Sequence, residues 1–266
     1  MPRNLAALRL QMESALAGRV PAPFTYRDRK IVEAVSAGIP EIDSLTGGLP
    51  RGSLTEICGP SCSGRTSLLI SALASRTADA EACAFIDGDD AFDPHSAAAA
   101  GVELGKLLWV RCRNIEQALR ATDLLLQGGG FGMVALDLGD IPAETVRCVP
   151  LNVWFRFRRA VEDTATIFVV VEQEPHAKTC ASLVLRMEAE VGNWSKASGG
   201  RATEFFEWPH AVLFDGFVIR AEMARSRVKA AGMGLGGGFA FDAADEAAIF
   251  GTAVTDEFKL KLLRRG

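Results

Sequence analysis

Nine consecutive residues carry the clearest chemistry: Gly59, Pro60, Ser61, Cys62, Ser63, Gly64, Arg65, Thr66 and Ser67 follow the apolar run Leu54–Cys58 and lead into a helical pattern. This is the G-x-x-x-x-G-K-S/T arrangement with arginine in the lysine position. Its glycines let successive backbone N–H groups curl around a phosphate, the helix start adds positive potential, and Thr66 offers a hydroxyl to Mg²⁺. Arginine keeps the charge of lysine but presents a planar fork in place of a compact ammonium, so Arg65 can hold phosphate while failing to reach the β/γ bridge for hydrolysis. The bland alternative is a vestigial loop that only caps a helix.

Two acidic stretches bear on the same chemistry. Val134-Ala135-Leu136-Asp137 ends an apolar run in a carboxylate, the place from which Asp137 would orient Mg²⁺ through water; the alternative is a cap on the following turn. Phe85 to Pro94 carries four carboxylates in seven residues, Asp87, Asp89, Asp90 and Asp93. A carboxylate at the end of a sheet strand can polarise a water beside a γ-phosphate. The alternative is a solvated acidic turn in which Asp93 caps the next helix.

The elements needed to position these groups are legible along the chain. Strand-like runs at Leu54–Cys58, Ala82–Ile86, Leu107–Val110, Met133–Leu136, Ile167–Val171 and Leu183–Met187 are mostly unalternating. Helical stretches near 65–76, 94–104, 114–127 and 151–162 lie between most of them. That pattern predicts an α/β domain with a mostly parallel sheet covered on both faces. Beyond residue 203 alternating strands, Glu204–Trp208 and Ala211–Arg220, and a glycine-dense stretch from Gly232 to Gly238 point to antiparallel strands toward the C-terminus. Before the core, Leu5, Leu8, Met12 and Leu16 form one apolar stripe on a short helix, broken by Pro21 and Pro23. The organisation expected is an N-terminal helical arm over 1–30, a core domain over 31–250 and a basic tail over 251–266.

Bulk properties narrow the partners. The 266 residues hold 29 Lys+Arg against 33 Asp+Glu, a net charge of −4, which argues against coating nucleic acid by overall charge. Six cysteines at irregular spacings read as reduced, mostly buried thiols of a cytoplasmic protein, and no apolar run suits a membrane span. The three histidines share no metal-ligand spacing with the cysteines.

Taken in order, these residues resemble the RecA recombinase family from about residue 30 to about 230. Gly38-Ile39-Pro40-Glu41-Ile42-Asp43-Ser44-Leu45 and Gly47-Gly48-Leu49-Pro50-Arg51-Gly52 look like the family's entry into its first core strand; the phosphate loop, the Cys83-to-Pro94 stretch and the Asp137 strand follow in the family's order. The resemblance implies ATP and Mg²⁺ as cofactors, with Thr66 and Asp137 at the metal. It puts Asp89 in place of the catalytic glutamate, one methylene shorter, and Gln173 in place of the glutamine that senses γ-phosphate. Ser96 lies near the place of the adenine-stacking tyrosine. Only Glu174 to Cys180 separate Gln173 from the next apolar stretch, too short for the family's second DNA-holding loop.

The altered phosphate loop, shortened carboxylate and trimmed DNA face resemble the ImuA family, RecA-like proteins encoded with error-prone polymerase components. This implies an accessory role in SOS-induced DNA repair and translesion synthesis, through contact with RecA, a polymerase subunit or DNA. The alternative is a short DNA-dependent ATPase of the recombinase type.

Three basic features could meet nucleic acid. Arg156 and Arg159 interleave with aromatics over Leu151–Val161, while Trp154, Phe157 and Val161 share a face that reads as core. Arg225, Arg227 and Lys229 alternate as on one face of an edge strand and could reach the phosphates of a neighbouring copy in a homo-oligomer; the tail Lys259 to Arg265 suits single-stranded DNA or an acidic partner.

Overall fold

The computed structural model describes residues 32–196, 212–227 and 254–261. Two short strands, β1 (Ala34–Val35) and β2 (Leu49–Pro50), pair antiparallel and enclose helix α1 (Pro40–Thr46). Pro40 occupies the first turn of α1, where its missing N–H is no loss, and Gly47 ends it at φ 76. The stretch expected as an entry to the first strand is therefore partly helical.

Apolar runs that cannot face water on either side then assemble the main sheet. Strands β3 (Ser53–Cys58), β4 (Cys83–Asp87), β5 (Leu107–Arg111), β6 (Met133–Asp137), β7 (Ile167–Glu172) and β8 (Leu183–Lys196) run parallel; β9 (Val212–Ser226) pairs antiparallel with β8, and β10 (Val254–Lys261) antiparallel with β9. The spatial order is β10-β9-β8-β3-β7-β6-β4-β5. The expected α/β class, mostly parallel with antiparallel strands toward the C-terminus, is what the chain adopts.

Side chains alternate between two covered faces. On β7, Ile167, Val169 and Val171 join one core with α1, α2 (Arg65–Ala78) and α3 (Pro94–Ala99); Phe168 and Val170 join the other with α4 (Ile115–Gly128), α5 (Ala143–Arg147) and α6 (Leu151–Val161). Trp154, Phe157 and Val161 are buried as their spacing predicted. Phe157 packs edge-on to Trp154 and Phe168 at 6.1 and 5.7 Å between centroids.

Several boundaries differ from the sequence expectation. Helix α3 stops at Ala99 because Gly101 (φ 104) turns the chain out, and only a single 3₁₀ turn, Leu104–Lys106, follows where a helix to 104 was expected. Strands β8 and β9 are 14 and 15 residues long, well beyond Leu183–Met187 and Ala211–Arg220, since each supplies the other's hydrogen bonds. Lys259 and Lys261 lie in β10, so the 251–266 segment is not a free tail throughout. The arm over 1–30, Glu204–Trp208, the Gly232–Gly238 stretch, Lys229 and residues 262–266 lie outside the described residues. Among the described residues no helix is long and apolar enough to cross a membrane.

Two acids interrupt the apolar runs on the α4–α6 side, Glu56 in β3 and Glu172 in β7, and both are fully buried. In place of a helix, the connection from Gln173 to Ser182 covers them. The N–H groups of His176 and Ala177 donate to Glu56 Oε1 at 2.9 and 2.5 Å, His176 N–H also reaches Glu172 Oε1 at 3.3 Å, and His176 Nδ1 lies 3.0 Å from Glu172 Oε2. Burial pushes Glu56 up to about 9, with the neighbouring Glu172 adding to the rise. Burial also raises Glu172, to about 7. Both carboxyls are thus held toward the neutral form, and their contacts with His176 and Ala177 tie the connection to the sheet.

Phe157→Ala should lower stability by about 3–5 kcal/mol in denaturant unfolding, because its site is closed on all sides. The buried acids set a pH dependence whose sign follows from their raised values. A carboxyl held neutral in the fold contributes fully below the ordinary carboxylate range and loses that contribution as pH climbs, for Glu56 through about 9. Glu56→Gln keeps a neutral group, so relative to wild type it should gain on the order of 2 kcal/mol between neutral pH and about pH 9. Urea midpoints across that range measure it; a constant difference between the two proteins would show that Glu56 is not the titrating group.

Candidate functional site

The parallel register brings the C-terminal ends of four strands to one level: Cys58 pairs with Glu172, Asp137 with Val171 and Asp87 with Asp137. The loop after β3 is the phosphate loop. Gly59 donates its N–H to the Glu172 carbonyl at 3.3 Å, and a Cβ there would stand 2.1 Å from the Met187 carbonyl oxygen, so only glycine passes between β7 and β8. Cys62 at φ 64 and Gly64 at φ 86 adopt the left-handed conformation that curls the loop back to α2.

Helix α2 begins at Arg65 with no side-chain cap and no acid in its first turn. Its leading N–H groups and helix dipole are thus open to an anion. Pro60, Ser61, Cys62, Thr66 and Ser67 are exposed, while Ser63 and Arg65 are buried. Ser63 Oγ and Arg65 Nη1 are both buried without a hydrogen-bond partner. Unpaired buried donors of this kind are expensive, and a phosphate oxygen would satisfy them.

Two of the expected residues meet at one backbone carbonyl, and a third binds the N–H of the same residue. Arg65 Nη2 donates to Gly139 O at 3.4 Å, and Gln173 Nε2 donates to the same oxygen at 3.2 Å and to Ile141 O at 3.3 Å. Asp137 stands at the start of that turn, with Oδ1 accepting the Gly139 N–H at 2.9 Å. Burial raises the Asp137 carboxyl to about 6, with Arg65 opposing the rise. The capping alternative for Asp137 is thus present in the structure, beside the loop that would hold phosphate. The donor set fits a polyphosphate; for a divalent cation it offers the exposed Thr66 hydroxyl and a carboxylate with one oxygen engaged by its own turn and a guanidinium nearby.

The acidic segment after β4 divides its four carboxylates. Asp87 is buried and accepts from the N–H groups of Ala91 and Phe92 at 3.0 and 3.1 Å and from Trp109 Nε1 at 3.2 Å. Asp90 makes a two-point pair with Arg111, both contacts 2.6 Å. Asp93 caps α3 through the N–H groups of His95 and Ser96. Asp89 alone of the four is exposed without a hydrogen bond or ion pair among the described residues. It follows Gly88, whose N–H donates to the Asp137 carbonyl at 3.0 Å, so its backbone lies next to the site. Ser96 Oγ is spent on Asp93 at 2.5 Å.

The basic candidates lie apart from this centre. Arg156 pairs with Asp123 at 2.8 Å across α4 and α6, and Arg159 is exposed. Arg225 and Arg227 were expected on one face of an edge strand, yet both donate to the turn Lys178–Cys180, at the carbonyls of Lys178 and Thr179. Over Gly216–Met223, β9 is an interior strand, with β10 beyond it. Sequence reasoning missed the Gly139 carbonyl, which carries no side-chain signal. It also missed Glu56 and Glu172, whose signal was an acid within one apolar run and another at the end of a second.

The RecA N-terminal domain family matches residues 22–144. Among curated proteins the chain is 36% identical to Protein RecA of Rickettsia canadensis (strain McKiel) over 137 residues, 51% of this chain and 40% of that protein. It is 40% identical to Protein RecA of Acinetobacter baumannii over 108 residues, 40% of this chain and 31% of that protein. The matched stretch thus spans well under half the length of these relatives. It includes the phosphate loop, Asp89 and Asp137, and ends before Gln173 on the family match. Over residues 22–144, which hold the loop at the end of β3, the chain is similar to the RecA N-terminal domain.

Proposed function

We propose that the chain is a RecA-like accessory protein of SOS-induced DNA repair and translesion mutagenesis, close in character to the ImuA family, that binds ATP with weak or no hydrolysis. It acts through contact with RecA, an error-prone polymerase subunit or DNA. The observation that carries this reading is the division at the loop: the anion nest of Gly59–Ser67 is intact, while the parts that drive hydrolysis are altered.

Arg65 supplies charge from a buried fork tied to Gly139 O, where a lysine would bring a compact ammonium to the β/γ bridge. Asp89 would have to polarise the attacking water from a side chain one methylene shorter than glutamate, which places its oxygens farther from the phosphate. Gln173 is held on the Gly139 and Ile141 carbonyls, able to respond to a group bound at the loop but not shaped for chemistry. The connection behind it is short and pinned by Glu56, which leaves little chain to wrap a DNA strand. Single-stranded DNA would be met by Arg156, Arg159 or the basic tail Lys259 to Arg265, and a homo-oligomer belongs to the same reading.

Steady-state ATP hydrolysis, with and without single-stranded DNA and beside a recombinase control, tests it. Turnover should stay at least about a hundredfold below the control, a barrier higher by about 2.7 kcal/mol, and should not respond to DNA. Binding to RecA or to a polymerase subunit should be measurable by surface plasmon resonance. DNA-stimulated turnover near the control would replace this reading with that of a short DNA-dependent ATPase.

A further inference from the structure

The position of Arg65 bears on how the loop would neutralise a polyphosphate. The side chain is 6% exposed and spans from the start of α2 to the turn after β6. A Cβ placed on Gly139 would lie 3.0 Å from Asp137 Oδ1 and 3.5 Å from Arg65 Nη2, so carboxylate and guanidinium flank one point. Asp137 Oδ1 is engaged by the Gly139 N–H, and the Gly139 carbonyl is engaged by both Arg65 and Gln173. Arg65 Nη1 is buried with no partner.

These contacts leave poor conditions for Mg²⁺ and good ones for an anion. Mg²⁺ takes near-octahedral oxygen ligands, keeps several waters, and leans on a strand-end carboxylate to hold them. Here a permanently charged guanidinium lies near that carboxylate, acts on it electrostatically, and repels a cation. A guanidinium in turn donates two parallel hydrogen bonds to phosphate oxygens, and one of its terminal nitrogens is unspent.

We propose that Arg65 takes the place of the divalent cation, so that the loop binds a nucleoside triphosphate free of metal. This rests on the reading that Gly59–Ser67 binds ATP. The charge that a mobile, exchangeable ion would bring to the phosphates comes from a fixed side chain, with Ser63 and the α2 N–H groups completing the cradle. Such a site retains its nucleotide without supplying the metal-assisted polarisation that cleavage needs.

Calorimetric titration of the full chain with ATP, in excess Mg²⁺ and again in EDTA, tests the proposal directly. Wild-type affinity should agree between the two within about threefold. Arg65→Lys, which restores the compact ammonium, should bind at least about tenfold more tightly with Mg²⁺ than with EDTA. A wild-type loss of about tenfold or more in EDTA would overturn metal-free binding and leave the ATP reading standing. No wild-type binding in either buffer would overturn both. Equal binding of the lysine variant in both buffers, with its circular dichroism unchanged, would remove Arg65 from the role.

Discussion

The common register of β3, β7, β6 and β4 is the constraint on which the rest of this protein depends. Parallel strands paired residue for residue end at one height, and so the loops that follow them are forced into one crevice. That is why a loop at residue 59, a carboxylate at 137 and a glutamine at 173 are neighbours. The Gly139 carbonyl joins two of their side chains, and the Asp137 carboxylate closes the same turn.

The same pairing creates a difficulty that the sequence resolves with Glu56 and Glu172. The connection from β7 to β8 has to cover the sheet without the help of a helix, and its N–H groups would be buried unpaired. Two carboxyls facing the same side accept them, and burial holds both toward the neutral form. The arrangement shortens and fixes the segment that follows Gln173. Rigidity on the far side of the sheet is therefore linked, through one strand, to the loop that would hold phosphate.

Arg65 shows how one side chain changes what a phosphate-loop geometry can do. The glycine-lined turn and the helix start are indifferent to whether lysine or arginine follows, since both are backbone features. What changes is the shape and reach of the charge, from a compact ammonium to a fork long enough to touch the turn after β6. An anion site survives such a change more readily than a catalytic one, because binding tolerates several donor geometries and phosphoryl transfer tolerates few.

Much of this was legible in the residues taken in order. Unalternating apolar runs separated by helices determined the parallel sheet, since strands covered on both faces have no polar side to show. The motif at Gly59–Ser67, the burial of Trp154, Phe157 and Val161, and the cap at Asp93 follow from local spacing, and local spacing is what a sequence states directly. Tertiary structure alone decided which of four neighbouring carboxylates is unengaged, because Asp87 and Asp90 find their partners, Trp109 and Arg111, on the adjacent strand β5. It alone put Arg225 and Arg227 on the turn at Lys178–Cys180 and made β9 an interior strand for much of its length. It alone revealed Gly139, whose part is played by a backbone oxygen common to every residue. Interactions between residues tens of positions apart depend on how strands are ordered in the sheet, and that order is set by packing of the whole core.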